Sequence, residues 1–527
     1  MKKFYLLINT VRHLKPIQIH YRIKYFVRNR LGGGKWNTKS IDKYKKKSSS
    51  LQFQEFIKNR TSFQPEQSFE FLNLRHSFEC KIDWNFSEYG RLWTYNLNYF
   101  EFLHQEQISA KDGLELIDDF IKTIENNYTG LEPYPLSLRI INWIKFLAIH
   151  NILDSKYDNV LWLQLKILSK NKEYHLLGNH LLENGFALLF GAYFFHDSDL
   201  YKQAYTILRR ELEEQILNDG THFELSPMYH QIILYRLLDC INLISNNEWI
   251  ADGLLSFMKE KAEKMTGWLS TISFSNGDIP FLNDASGDIA PSTSDLLAYA
   301  ERLKIQSSIL PLNESGYRKF KNNRIEAVLD VGAIGPTYQP GHAHADTFNI
   351  VLNVHAKPIL VDTGCSTYEA GRIRDYERGT RAHNTVVLNN LNSSEVWASH
   401  RVGKRANVKI LKDTPSQVKA THSGYRSLGI THERCVEIKN ENIIRITDRL
   451  LSSPKSSGTA YFHLDNQIKD ISIENDSIDL KGCKIIFHGA VNIEVQEYSQ
   501  ALGFNLRKQA KCIQISFNSE LITELII

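Results

Sequence analysis

The sequence predicts a multidomain α+β protein, helical through its first half and an antiparallel β-sandwich through its second. Apolar residues recur at spacings of three and four from about 84 to 305, and at spacings of two after about 315. The chain of 527 residues is long enough for about two to four domains, each with its own core. Hydrophobic residues make up 42% and charged residues 23%, which excludes a disordered chain, a collagen-like fibre and a disulfide-stapled mini-domain. No run approaches the roughly 18 apolar residues of a membrane span. The expected parts are a basic arm (1–50), a helical domain (51–313) and a sandwich domain (314–527).

The arm carries 14 Lys/Arg and one acid, for +13, whereas the other 477 residues carry 49 bases and 58 acids, for −9. Such an arm is expected to be a solvated, partly flexible N-terminus, or to rest on an anionic lipid surface or acidic polymer, with residues 1–47 as the contact. A cleaved leader is not expected. After Met1-Lys2-Lys3 the apolar stretch Phe4–Ile8 is five residues, and Arg12, His13 and Lys15 follow. The six cysteines form no CxxC pair and read as scattered reduced thiols. No nucleic-acid partner is expected.

In the helical half Leu136, Ile140, Trp143, Ile144 and Leu147 form one helix face, and 114–127, 158–170, 181–196, 200–217, 228–246 and 252–272 read the same way. Breaks such as Asn218-Asp219-Gly220 and Asn276-Gly277-Asp278 separate them. Many helices on short turns make a bundle, solenoid or toroid, and no fixed-length repeat favours a regular array. In the second half Phe348, Ile350, Leu352 and Val354 alternate with polar or smaller residues, and Ala356-Lys357-Pro358 turns the chain into Ile359–Val361. Val436–Ile438 with Ile443–Ile446, and Ile471–Ile473 with Ile478–Leu480, have hairpin spacing. The period changes near Leu312–Gly316.

There is no phosphate loop, since Gly32-Gly33-Gly34 lacks a strand–helix context, and there is no GxSxG elbow. The densest polar cluster is Gly341-His342-Ala343-His344-Ala345-Asp346, followed by Val361-Asp362-Thr363-Gly364 and Arg381-Ala382-His383-Asn384-Thr385. In extended chain His342 and His344 face the same side. His344, Asp362 and His383 could close around one divalent ion, two imidazoles and a carboxylate suiting zinc best; the alternative is three unrelated polar residues at strand ends. On the helical side Asn179 and His180 stand at a helix start, where donors could meet an anion. Tyr229 follows Ser226-Pro227, an ordinary helix start, and surrounding cations would lower its phenol pKa.

At these residues the sequence resembles the heparinase II/III-like family of polysaccharide lyases, which includes alginate lyases of similar build. The resemblance rests on LWTYNLNYFEFL (92–103), YPLSLRIINWIKF (134–146), GNHLLENGFALLF (178–190), DGTHFELSPMYHQIILYRLLD (219–239), PGHAHADTFNIVLNVHAKPILVDTG (340–364), RAHNTVVLN (381–389) and SSEVWASHRVGKRA (393–406). Residues 9–25 resemble members found with capsule or exopolysaccharide loci.

The resemblance implies an incomplete (α/α) toroid joined to the sandwich, and β-elimination at a uronic-acid residue of an acidic polysaccharide, leaving a 4,5-unsaturated sugar. It places Asn179 and His180 at the substrate carboxylate, Tyr229 and His342 as proton-transfer residues from opposite sides, and His344, Asp362 and His383 at a structural divalent metal ion, zinc. A second sandwich tyrosine occurs in related lyases, and Tyr368 and Tyr376 are both candidates. Arg374, Arg378 and Arg401, with Arg372, could meet substrate carboxylates or sulfates, or could be surface residues paired with Asp375 and Glu377. Relatives are often periplasmic, which leaves the compartment open for a chain with no clear leader.

Two rival functions fit the same fold. A glycoside hydrolase would need two carboxylates facing across a cleft, for which Glu132, Asp219 and Glu224 are available. A non-catalytic glycan-binding or assembly protein would need no proton-transfer residues at all.

Overall fold

The computed structural model describes residues 2–31, 46–452 and 456–527. Its first part runs through α1 (Lys2–Val11), α2 (Pro16–Arg30), a small antiparallel sheet of β1 (Phe63–Gln64), β2 (Ser68–Phe71) and β3 (Leu74–Ser77), and then α3 (Arg91–Tyr99), α4 (Ala110–Thr123) and α5 (Pro133–Ile149). It continues through α6 (Ser155–Lys170), α7 (Gly178–Phe195), α8 (Ser198–Gln215), α9 (Pro227–Asn246), α10 (Leu254–Ile272) and α11 (Thr293–Arg302). Local chemistry sets the helix ends. Ser109, Asp197 and Ser226 cap α4, α8 and α9 by accepting a backbone N–H, and Pro227 opens α9. Inner and outer helices differ in pattern. All of α7 except His180 is buried, whereas α4 and α8 alternate buried and exposed turns. A Cβ on Gly191 of α7 would collide with Leu165 of α6, so only glycine allows that approach.

The second part begins with an antiparallel sheet of β4 (Tyr317–Lys321), β5 (Ile325–Asp330), β6 (Ile350–Val354) and β7 (Lys357–Leu360), in that order. A short helix, α12 (Arg372–Glu377), precedes β8 (Val386–Val387) and the ribbon of β9 (Val396–Trp397) and β10 (Arg401–Val402). The large sheet contains β11 (Val408–Thr414), β12 (Gln417–His422), β13 (Thr431–Asn440), β14 (Ile443–Leu451), β15 (Ser457–His463), β16 (Ser472–Glu474), β17 (Ser477–Asp479), β18 (Lys484–Gly503) and β19 (Leu506–Ile526). Its main path is β11-β12-β13-β14-β19-β18-β17-β16, and β15 pairs with β19 and β8. Val436, Ile444, Ile446 and Ile513 from the large sheet pack with Ala327, Leu329, Ile350 and Leu352 from the small one, a sandwich core. Both expected hairpins form, the first with Ile438 opposite Ile444. The turn before β7 is built on His355 and Ala356, at φ 49° and 60°, one residue earlier than the proline suggested.

Hydrogen bonds around residues 313–317 bolt the two parts together. Asp219 accepts backbone N–H bonds from Asn313 (3.0 Å) and Ser315 (2.9 Å). Tyr317 donates its hydroxyl to the carbonyl of Leu225 (2.5 Å), and Asn283 donates to the same carbonyl (3.0 Å). Gly316, at φ +76°, meets Gly332 so closely that neither can carry a side chain.

The arm departs from the expectation of a flexible tail. Residues 2–30 form two helices lying on the body, and 32–45, part of the expected 1–47 contact, fall outside the described residues.

Candidate active site

A cleft of about 820 Å³ lies between the helical domain and the sandwich, and Asn179, His180, Tyr229, His342 and Tyr368 all line it. The helical wall begins with backbone strain. Leu177 and Gly178 take φ of +63° and +61° to start α7. A Cβ on Gly178 would stand 2.6 Å from Glu224 Oε1, so glycine lets that carboxylate reach the helix start. Glu224 accepts from the Asn179 backbone N–H (3.1 Å) and side-chain amide (2.7 Å). His180 Nδ1 lies 3.1 Å from Glu173 Oε1, and Asn184 braces Glu173 through its amide (3.1 Å). Burial alone would lower the His180 pKa, but the charge and hydrogen bond of Glu173, with Glu224 and Glu183, raise it. His180 and Asn179 thus stand side by side at the start of α7, a pair of donors suited to a carboxylate.

Tyr229 sits in the first turn of α9, its position set by the Ser226-Pro227 start. Its ring stacks on His342 with centroids 3.8 Å apart, and its hydroxyl is 3.1 Å from that of Tyr368. The expected lowering of its pKa is corrected here. Burial raises it far above the usual phenol value, Asp284 and Glu224 add to the rise, and the hydrogen bond from Tyr368 offsets only part. Burial likewise raises Tyr368, so the two phenols are a neutral pair.

The sandwich wall is organised by a residue that the sequence did not single out, Asp284. His342 Nδ1 lies 2.9 Å from Asp284 Oδ2 and His344 Nε2 lies 2.8 Å from Oδ1. Arg374 grips the same carboxylate through both terminal nitrogens, Nη2 at 2.7 Å from Oδ2 and Nη1 on Oδ1. Burial would raise the Asp284 pKa, but the charge of Arg374 and the hydrogen bonds from both histidines and Arg374 hold it well below the usual range. An ionised Asp284 makes His342 Nδ1 the donor, and Nε2 on the other side of the ring lies 3.7 Å from Glu224 Oε2. His342 and His344 both reach this one carboxylate, from a turn and loop and not from an extended strand.

The two candidate sandwich tyrosines are separated by this geometry. Tyr368 faces Tyr229, whereas Tyr376 lines a different hollow with Arg381 and Tyr461. The expected substrate-binding arginines are corrected. Arg374 is fully buried on Asp284, Arg378 is buried against the carbonyl of Ala343 (2.8 Å), and Arg401 lies over Trp397 outside the cleft lining. All three carry the charge a substrate anion needs, but the fold uses the first two to hold the loops that carry the histidines. The lining instead carries four other cations, Lys58, Arg60, Arg91 and Arg236, against five carboxylates. Arg60 is paired with Asp288, Arg91 with Glu132 and Arg236 with Glu101. His400 also lines the cleft, 5.4 Å from Tyr368 between ring centroids.

The three carboxylates expected for a hydrolase are each engaged by protein groups. Asp219 ties the domains together, Glu224 holds Asn179, and Glu132 bonds Arg91 and Tyr95.

His344, Asp362 and His383 cluster behind His342. The two imidazole centroids are 5.4 Å apart, and His383 Nδ1 is 2.8 Å from Asp362 Oδ2. The outer nitrogens, Nδ1 of His344 and Nε2 of His383, are buried without a partner. Such orphaned acceptors fit a cation in kind. Asp362 is occupied otherwise, accepting from His383, from Asn349 (2.6 Å) and from the Gly364 N–H (2.9 Å). No three His, Cys, Asp or Glu side chains among the described residues are gathered as a ligand set.

Comparison with known proteins agrees with this architecture. The profile of the heparinase II/III N-terminus matches residues 143–303, and that of the heparinase II/III-like C-terminal region matches 306–522. A heparin-sulfate lyase of Bacteroides stercoris is 24% identical over 392 residues, which are 66% of this chain and 55% of that protein. The chain thus spans about half the length of that relative. A crystal structure of heparinase III superposes with a TM-score of 0.70 at 16% identity, covering 97% of this chain and 91% of the other. The heparan sulfate lyase HepC of Pedobacter heparinus superposes with a TM-score of 0.55 at 15% identity, covering 88% and 81%. At these identities the superpositions show the fold, an incomplete toroid followed by a sandwich.

Proposed function

The chain belongs to the heparinase II/III-like family, and from that premise we propose that it is a polysaccharide lyase that cleaves a uronic-acid-containing glycan by β-elimination. The observation that carries the reading is the stacked and hydrogen-bonded set of His342, Tyr229 and Tyr368 facing Asn179 and His180 across one cleft. The chemistry needs three things. The charge of the uronate carboxylate must be offset so that the C5 proton becomes acidic, that proton must be removed, and the leaving O4 must be protonated. Asn179, held by Glu224, and His180, whose pKa Glu173 raises, receive the carboxylate and stabilise the enolate-like intermediate. His342 Nε2 is the base, with Asp284 taking up the developing positive charge. The neutral Tyr229–Tyr368 pair supplies the proton to O4.

In this reading His344 and His383, with Asp362 beside them, would hold a divalent ion such as zinc. When bound, the ion supplies a structural brace for the loop of His342 and takes no part in proton transfer. The substrate carries carboxylates with little sulfate, because three of the four cleft cations already have carboxylate partners. A place in capsule or exopolysaccharide metabolism is part of the reading and rests on residues 9–25.

The test is to incubate the purified chain with uronate polymers, unsulfated and sulfated, and follow the ultraviolet absorbance of the unsaturated product. A rise on unsulfated polymers that vanishes in Tyr229→Phe and in His342→Ala is the expected result. No unsaturated product on any uronate polymer would overturn the lyase assignment, and faster cleavage of densely sulfated chains would overturn the substrate class alone.

A further inference from the structure

Helices α1 and α2 are amphipathic the wrong way round for parts of a globular body. The face of α1 that carries Asn9 and Thr10 is turned inward. Asn9 is buried, and Thr10 accepts from Trp397 Nε1 and donates to the carbonyl of Val402, both at 3.2 Å. Along α2 the inward face is mixed: Ile17 packs on the helical core and Tyr21 stacks on Tyr174, beside a row of polar contacts. Gln18 donates to Leu176 O (3.0 Å), Arg22 to His175 O (3.3 Å) and Tyr25 to Lys172 O (2.5 Å).

The outward faces are apolar at helical spacing. Phe4, Leu7, Ile8 and Val11 lie along one side of α1 and are exposed, Phe4 at 69%. Ile19, Ile23, Phe26 and Val27 do the same on α2, with Ile23 at 59% and Phe26 at 61%. Ten of the 24 large exposed hydrophobic side chains among the described residues fall within residues 4–31, so the apolar surface is concentrated here and not scattered.

Charge identifies the occupant. Residues 2–31 contain eight Lys/Arg and no acid. Arg12, Arg22, Lys24 and Arg30 are exposed, and Lys404, Arg405 and Arg401 of the body stand beside the helices. Of these cations among the described side chains, Lys15 and Lys404 have an acidic side chain close by, Glu214 and Glu395. An apolar stripe inside an unneutralised basic surface matches an anionic bilayer, which takes apolar side chains at its acyl boundary and cations at its headgroups. A protein partner would have to supply both an apolar groove and a ring of acids. No helix among the described residues is long and apolar enough to cross a bilayer, so the contact is interfacial.

We propose that α1 and α2 form a docking surface for an anionic lipid bilayer. The surface is coupled to the cleft through the chain. α2 rests on residues 172–176, which lead into α7 with Asn179 and His180, and α1 rests on Trp397 and Val402, which flank His400. Docking therefore holds the cleft near the membrane, where it would meet a polymer at the surface. This inference goes beyond the lyase reading and survives if that reading fails.

The test is co-sedimentation of the full chain with phosphatidylcholine vesicles, alone or with about 30% phosphatidylglycerol. The expected result is binding to the anionic vesicles only, weakened by high salt. The variant Phe4→Ser/Ile23→Ser/Phe26→Ser should lose binding at least about tenfold, and so should Arg12→Glu/Lys24→Glu/Arg30→Glu. Both should keep the parent's thermal melt, since these side chains point away from the body. A chain that stays in the supernatant with anionic vesicles overturns the proposal, as does full binding by either variant. So does a parent that dimerises without lipid while the serine variant is a monomer, because the face would then belong to a second copy.

Discussion

Replacing Asp284 with Asn tests the centre of the site in two separable ways. The carboxylate holds the fully buried guanidinium of Arg374 through both terminal nitrogens and meets one nitrogen of each of His342 and His344. Asn keeps the shape and one acceptor but removes the charge, leaving Arg374 buried with no counter-charge on it. Removing one partner of a buried pair costs about 3–5 kcal/mol. For a domain the size of the sandwich, about 2–4 °C per kcal/mol gives a drop in melting temperature of roughly 10 °C. Activity should fall by about 10²–10⁴, because His342 loses the ionised group that fixes its tautomer and balances its positive charge. The double variant Asp284→Asn/Arg374→Met separates the two effects. With the stranded cation gone most of the stability should return, while activity stays low. Melting curves and the initial rate of unsaturated-product formation read the two quantities. A double variant that regains activity along with stability would refute the role given to Asp284 and reduce it to a packing residue.

Three further outcomes are expected. Tyr368→Phe should lower kcat by about 10²-fold or more while Tyr376→Phe leaves it within about twofold, measured on the same polymer, since only Tyr368 reaches Tyr229. The site also rests on a buried network beneath it, in which Arg434 donates to the carbonyls of Phe348 (2.7 Å) and Asn384 (2.6 Å) and binds Asp448. Burial would raise the Asp448 pKa, but the charge of Arg434 and the hydrogen bonds from His432 and Arg434 hold it at about 2. A depressed carboxyl stabilises the fold fully above its unfolded pKa, so about 2–3 kcal/mol should be lost as pH falls from about 4 to about 2. Melting temperature against pH should be flatter in Asp448→Asn across that window; equal slopes would count against it. Finally, elemental analysis should find about one zinc per chain, and chelation should lower the melting temperature until zinc is restored. A chain purified without metal and indifferent to added zinc would remove the ion from the account.

Much of the architecture was legible in the residues because it depends on local period. Seven stretches with apolar spacing of three and four became α4 to α10, and the alternation after 315 became the sandwich strands. The change of period near Leu312–Gly316 falls between α11 and β4. The small sheet β1–β3 escaped because its strands are only two to four residues long, too short for a period to show. In the site, Asn179, His180, Tyr229 and His342 were marked by their motifs and do face one cleft.

What only the tertiary structure decided were the partners. Tyr368 and Tyr376 are equivalent in a sequence, and they differ in which wall the loop after β7 turns toward. Arg374 and Arg378 carry the charge expected of substrate ligands, yet both are buried on protein groups, one on a carboxylate 90 residues earlier in the chain. Asp284 itself follows Asn283 in an unremarkable turn, and its importance appears only when the loop of His342 is laid against it. The outward apolar faces of α1 and α2 show the same division. Their spacing was in the sequence, but whether those faces met the body or the solvent was not. Period is a property of neighbours along the chain and can be read there. Burial, pairing and the pKa of a group depend on what packing brings from far away, and a single sequence does not contain those distances.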